Sequence, residues 1–297
     1  MGAEPMGLKG SEAPSNAMSW GTRAVAHVRL TRPGNVIGGG ILAAVGAFVA
    51  AGPVVTIPII SAVAATALGT AAGNAINDYF DREIDAINRP DRPIPAGLVA
   101  PATAKWFSAV ALAIAIGLTL VVLPTAAIAI AVINLFLLTA YTTVFKGTPG
   151  LGNGVVAFLV ASAIWFGAAA GGDLLVTLEI GILAGVATFA REVVKDIEDI
   201  PGDRAQGLTT LPIAIGSTRA WMFAIATLVI GAALSPLPYL QETFGWWYFV
   251  GLIPAIAIMG YGTLIGRDRP AIGQQLLKAG MYVALVAFIA GRAQLAL

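Results

Sequence analysis

The chain has no cysteine, a single histidine and little charge: Asp, Glu, Lys and Arg make up only 11% of its 297 residues. The missing cysteines exclude disulfides and thiolate chemistry, and a lone His27, in a polar stretch that reads as surface, excludes a histidine-rich metal centre. So little charge cannot cover a water-soluble domain of this length. Also missing are a Walker loop, a dinucleotide-binding glycine fingerprint, an HExxH pair and any nucleic-acid-binding pattern. Their absence argues against P-loop nucleotide hydrolysis, nicotinamide chemistry, zinc proteolysis and nucleic-acid partners. Residues 1–20 lack the apolar core of a signal peptide; rich in Gly, Ser, Pro and Ala, they are expected to be disordered. Ser15, Asn16 and Ala17 ahead of Met18 fit a cloning remnant and native sequence equally well.

What is present is apolar, with 58% hydrophobic residues, 35 glycines and a mean hydropathy of +0.84. Continuous apolar runs of roughly membrane-spanning length fall near 33–51, 54–77, 103–123, 125–145, 152–171, 174–194, 212–234, 246–266 and 273–295. They are unbroken runs, not alternating ten-residue segments, so helices are expected in place of a barrel. The expected fold is an all-α membrane protein. Nine transmembrane helices would form one bundle over residues 21–297, around a central cavity opening to the cytoplasmic side.

The basic residues orient that bundle. Arg23, Arg29 and Arg32 precede the first run; Arg82, Arg89, Arg92 and Lys105 lie between the second and third; Lys146 follows the fourth. Arg191, Lys195, Arg204 and Arg219 surround the sixth connection, and Arg267, Arg269 and Lys278 the eighth. With Lys9, 16 of the 17 basic residues fall on one side, leaving only Arg292 on the other. Because cytoplasmic loops collect Lys and Arg, the N-terminus is placed inside, in a multi-pass protein of the cell membrane.

The few acids are patterned. The spacing DxxDxxxD occurs as Asp78, Asp81 and Asp85, and again 118 residues later as Asp196, Asp199 and Asp203, each at the cytoplasmic end of an apolar run. On a helix these offsets share roughly 60° of arc, so each set is a one-sided carboxylate ladder. A solvated helix end is the ordinary explanation for one such ladder. Two of identical spacing, in a chain with 16 acids, would repel each other unless cations sat between them. Crowded carboxylate oxygens suit Mg²⁺, which shares its shell with substrate phosphates. Asn77 extends the first ladder inward as a further oxygen ligand, whereas Asn74 suits an interhelical hydrogen bond. In the second, Pro201 biases Ile200 away from helix, so Asp203 is expected to reach the site from a loop.

An anionic substrate also needs positive charge that acidic ladders cannot supply. Arg32, Arg82, Arg89, Arg92, Lys146, Lys195 and Arg204 are the available cations, with Asn35 close to Arg32. Tyr141 precedes Lys146 by little more than a turn and can line the same cavity, although a membrane-interface tyrosine is the commoner explanation. Trp246, Trp247 and Tyr248 read as an external aromatic belt. A cation transporter is the non-enzyme alternative, but the ladders sit at the interface, not at the midplane.

The run Asn77-Asp78-Tyr79-Phe80-Asp81-Arg82-Glu83-Ile84-Asp85 resembles the first motif of UbiA-type intramembrane prenyltransferases, and Asp199 to Asp203 resembles their second. The likeness extends from about Arg32 to the C-terminus. It implies Mg²⁺-dependent transfer of an isoprenoid from its diphosphate to a lipophilic acceptor within the bilayer, with no obligate protein partner. Asn77, Asp78, Asp81, Asp85, Asp196, Asp199 and Asp203 would hold the metal. Asp81, Asp199, Lys146 and Tyr141 would carry the chemistry. The loop from Asn88 to Gly97 and the stretch from Arg191 to Asp199 look most like the archaeal ether-lipid branch, with geranylgeranyl diphosphate as donor and geranylgeranylglyceryl phosphate as acceptor. Arg32 would then meet the acceptor phosphate. Quinone- and chlorophyll-pathway members share the Arg-Pro-x-Arg-Pro-Ile-Pro loop, so an aromatic acceptor such as 4-hydroxybenzoate is the alternative; Ala96 stands where that loop carries Ser.

Overall fold

A computed structural model describes residues 20–145 and 147–296, so the expectations for Lys146 and for most of the N-terminal segment lie outside the described residues. Among these residues there is no strand. The helices are α1 (Trp20–Thr31), α2 (Pro33–Ala51), α3 (Ile57–Phe80), α4 (Arg82–Asn88), α5 (Pro101–Val122), α6 (Thr125–Ala140), α7 (Leu151–Gly171), α8 (Leu178–Ala205), α9 (Leu211–Ile215), α10 (Ser217–Leu234), α11 (Leu237–Leu240), α12 (Trp247–Ile265) and α13 (Pro270–Ala296). Seven helical stretches are long and apolar enough to cross a membrane: α2, α3, α5, α7, Ser217–Leu240, α12 and α13. Two more helices stand in the fourth and sixth predicted runs. α6 is short but continues as a π-helical turn through Tyr141–Phe145, and α8 combines an apolar first half with an acidic second half.

Consecutive long helices pack side by side, and α13 returns to α2, giving a ring pinched by contacts of α7 with α2 and α3 and of α13 with α8. The pinch needs glycine. A Cβ on Gly46 would overlap the Ile164 carbonyl, and one on Gly167 would overlap the Ala43 carbonyl, so α2 and α7 cross backbone to backbone. Small residues replace hydrophobic drive where the surroundings are as apolar as the core. The outward faces carry Val121, Phe136, Val250 and Ile253, all exposed, as lipid contact requires.

Three local readings are corrected. The polar stretch ahead of Pro33 is helical: α1 buries Ala26 and Leu30 against Ala75, Ile94, Val99 and Ala104, an apolar pair that flanking arginines obscure in sequence. Tyr248 is not in an exposed belt; it is fully buried against Phe244 and Phe288 and donates its hydroxyl to the Ser235 carbonyl at 2.9 Å, while Trp246 and Trp247 remain exposed. Finally, α8 runs through Pro201 to Ala205, so Asp203 is on a helix. Proline removes one hydrogen bond, which is tolerable near an exposed helix end where water takes the freed carbonyl.

Candidate active site

The first acidic segment is not one straight ladder. α3 ends at Phe80 and α4 starts at Arg82, with Asp81 at the joint in a bridge conformation (φ −85°, ψ 2°). Asp78 is therefore on α3 and Asp85 on α4, and both are buried. Two arginines hold them. Arg32 pairs with Asp78, and Arg92 lies 3.4 Å from the same Asp78 oxygen while also pairing with Asp85. Burial raises the Asp85 pKa above the usual carboxylate value, against the pull of Arg92. Arg32 occupies a left-handed joint between α1 and α2 (φ 52°), and Asn74 anchors that joint by donating to the Thr31 carbonyl at 2.8 Å. Arg32 thus reaches the first acidic segment, where the acceptor role assigned to it has a carboxylate competitor.

The second segment has gentler partners. Asn153 on α7 donates to Asp196 at 2.8 Å, and Thr210 donates to Asp203 at 3.1 Å. Lys195 lies 3.5 Å from Asp199 and 3.7 Å from Glu192. Asp196 stands past the apolar part of α8; burial raises its pKa to about 7, with the Asn153 bond opposing. The halves meet at an ion pair, Arg89 to Asp199 at 3.8 Å, which joins the loop after the first segment to the heart of the second. Arg82 faces elsewhere. It lies over the Tyr79 ring, pairs with Glu83 and lines a separate groove with Lys105 and Trp106. Arg204 is exposed.

Beside the paired segments opens a cavity of about 980 Å³, at the upper end of the usual range for small-molecule sites. Asn35, Asn74 and Asn77 line it near the acids, and Leu112, Leu135, Val160, Leu183, Leu228 and Leu252 are among its apolar walls. Tyr141 is partly buried on the π-helical turn, a distortion that often marks functional sites. Sequence reasoning missed Asn153, Glu192, Gln274 and, as cavity residues, Arg191 and Lys278. The available signal was a polar side chain inside an apolar run; Lys278 was counted with the loop charges although it lies two turns into α13.

Among the described residues no three acidic side chains converge on one point. The donor set nevertheless fits a hard cation. All of it is oxygen, it is shared by facing segments, and Glu198 Oε2, inside the second motif, is buried without a hydrogen-bond donor.

A bundle with two facing acidic segments at the end of a long apolar cavity defines a membrane enzyme for substrates with charged heads and lipid tails. Residues 40–286 match the UbiA prenyltransferase family, and the chain belongs to that family; it is an intramembrane prenyltransferase. It is 53% identical over 266 residues to a digeranylgeranylglyceryl phosphate synthase of Natronomonas pharaonis, covering 89% of this chain and 96% of that one. Identity to the synthase of Methanopyrus kandleri is 40% over 268 residues, covering 89% and 98%. A solved structure concerned with digeranylgeranylglyceryl phosphate synthase in membranes superposes with a TM-score of 0.76 at 31% identity, covering 92% of this chain and 99% of that one. A UbiA homolog from Archaeoglobus fulgidus bound to GPP and Mg²⁺ shares the fold, with a TM-score of 0.66 at 17% identity and coverage of 92% and 100%.

Proposed function

We propose that this enzyme transfers a geranylgeranyl group from its diphosphate to the free hydroxyl of geranylgeranylglyceryl phosphate, forming the second ether of an archaeal lipid precursor. The observation that carries the reading is the Arg89–Asp199 bridge, which gathers both acidic segments beside the apolar cavity. The names of the relatives support this acceptor. In this reading the chain makes nine spans, with the N-terminus and site facing the cytoplasm; the seven apolar stretches plus α6 and α8, and the distribution of bases, support it.

In this reading Asn77, Asp78, Asp81, Asp85, Asp196, Asp199 and Asp203 form the pool of oxygen ligands for Mg²⁺, with Asn77, Asp81 and Asp199 foremost. The bound metal supplies neutralisation of the diphosphate. Arg89, Arg92, Lys146 and Lys195 add hydrogen bonds to the leaving group as the allylic C–O bond breaks and its electron pair passes to the diphosphate. The tail rests among Leu112, Leu135 and Leu183. Those apolar walls keep water from the allylic carbon, so the acceptor oxygen forms the new C–O bond and its proton leaves to a carboxylate or to the released diphosphate.

The deciding assay offers geranylgeranylglyceryl phosphate and 4-hydroxybenzoate in competition, with labelled geranylgeranyl diphosphate and Mg²⁺. Label should enter the glyceryl phosphate. Label in the aromatic acid alone would replace this acceptor while leaving the chemistry in place.

A further inference from the structure

Among the described residues three charged side chains line the cavity: Arg191, Glu192 and Lys278. Glu192 pairs with Arg191 and lies 3.7 Å from Lys195. Lys278 is different. It is the ninth residue of α13, about 12 Å from the helix start at 1.5 Å per residue, and among the described residues no carboxylate lies within ion-pair range of it. Its ammonium group lies over the Tyr282 ring, 6.0 Å from the ring centre. A lysine at that depth, facing a cavity whose Glu192 is already paired with Arg191 and Lys195, is costly unless a ligand brings it an anion.

The neighbours form a row. Gln274, Lys278 and Tyr282 are spaced four residues apart, on one face of α13. At one end Gln274 accepts a hydrogen bond of 2.9 Å from Arg191 of α8, whose Nε is buried with no acceptor of its own. At the other end the Tyr282 hydroxyl faces Gly38 of α2, where an added Cβ would stand 3.4 Å from it; Asn35, one turn earlier on α2, lines the same cavity. Three helices thus place two cationic side chains, a phenol and an amide along one stretch of the cavity wall, with Lys278 between the two ends. Arg191 is eight residues from Asp199 along α8, roughly 12 Å, so Arg191 lies deeper in the bundle than Asp199, while Asn35, three residues from Arg32, is the member of the group nearest the acids.

We infer that Lys278, Arg191, Tyr282 and Asn35 form a second anion subsite that takes the phosphate of the acceptor, separate from the diphosphate region beside Asp81 and Asp199. The inference rests on the proposed glyceryl phosphate acceptor. In that acceptor the free hydroxyl is on the carbon next to the phosphate-bearing one, so a phosphate fixed here delivers the hydroxyl between the subsite and the acids. The subsite, not Arg32, then selects a phosphorylated acceptor.

The test is a KM split. Purified wild type and Lys278→Met are assayed with geranylgeranyl diphosphate against geranylgeranylglyceryl phosphate and its phosphate-free analogue, geranylgeranylglycerol. Losing one charge-assisted contact should raise KM for the phosphorylated acceptor roughly 10- to 100-fold and collapse the preference over the analogue. The donor KM should stay within about twofold, the pattern of a contact to one substrate only. Lys278→Arg should restore most of the preference. Should Lys278→Met not accumulate, Arg191→Gln carries the same split with a smaller rise. A parallel rise in donor KM would move Lys278 to the diphosphate and overturn the inference, as would an unchanged acceptor KM. Wild type that prenylates only an aromatic acceptor sinks the underlying function, an outcome read before any variant is compared.

Discussion

In the first acidic segment the helix breaks at Asp81, and two arginines close on Asp78 and Asp85; in the second, one helix carries Asp196, Asp199 and Asp203 without a break, and their partners among the described residues include an amide, a hydroxyl and the more exposed Arg89 and Lys195. The spacing is the same and the electrostatics are not. Buried carboxylates that already have arginine partners contribute mainly to holding the structure. Carboxylates with neutral or solvent-screened partners retain capacity for a cation and a diphosphate. The comparison divides the seven candidate ligands into those that position the site and those that act in it.

The largest effect should separate action from support. Asp81→Ala and Asp199→Ala should each lower transfer by at least about 10²–10³-fold, the scale for losing a group that stabilises developing charge. Protein yield and helical circular dichroism should be unchanged. Retention of most activity in both variants would dissolve the division. Next in size, Arg92→Ala leaves Asp78 and Asp85 facing each other at 2% and 7% side-chain exposure and should destabilise the protein by about 3 kcal/mol, read as thermal unfolding in detergent. The matching change in the other segment, Arg89→Ala, removes a pair with side chains 53% and 30% exposed and should cost under about 1 kcal/mol, its effect falling instead on donor KM. Equal thermal losses would erase the contrast.

Much of this architecture was legible from apolar run length and charge alternation, because a bilayer allows few backbone solutions. The acids were legible for the same reason: charge is scarce in this chain, and its repetition stands out. Partnership was not. Nothing in the order of residues says that Arg32, held at a left-handed joint, turns to Asp78, or that Asn153 arrives from another helix at Asp196. Periodicity reports which face a side chain occupies but not which neighbour meets it. Tyr248 failed for a related reason, since adjacency to two exposed tryptophans hid a rotation of about 100° per residue that turns it inward.

A smaller effect tests the neutral partner of Asp196. Its pKa of about 7 is raised above the ordinary 3.8, so the folded protein binds this proton more tightly than the unfolded chain. Stability in metal-free buffer should therefore fall as pH rises from about 4 to 7, where the unfolded carboxyl ionises first. Asp196→Asn should flatten that slope; a slope unchanged in the variant would assign it to another group.

The smallest effect concerns Pro201, the residue that made the second segment look interrupted. α8 continues through it, so Pro201→Ala would supply an amide that can bond the Ile197 carbonyl, worth about 1 kcal/mol at most for an exposed bond. The same change frees the unfolded chain, which opposes the gain by about 0.4–1 kcal/mol. The two nearly cancel, and a thermal midpoint within a few degrees of wild type is expected, with transfer retained because Asp203 keeps its helical position and its bond from Thr210. A large loss of activity at unchanged stability would show that the proline aims Asp203. The second segment would then depend on a backbone distortion as the first depends on its break at Asp81, and the contrast between them would narrow to their partners alone.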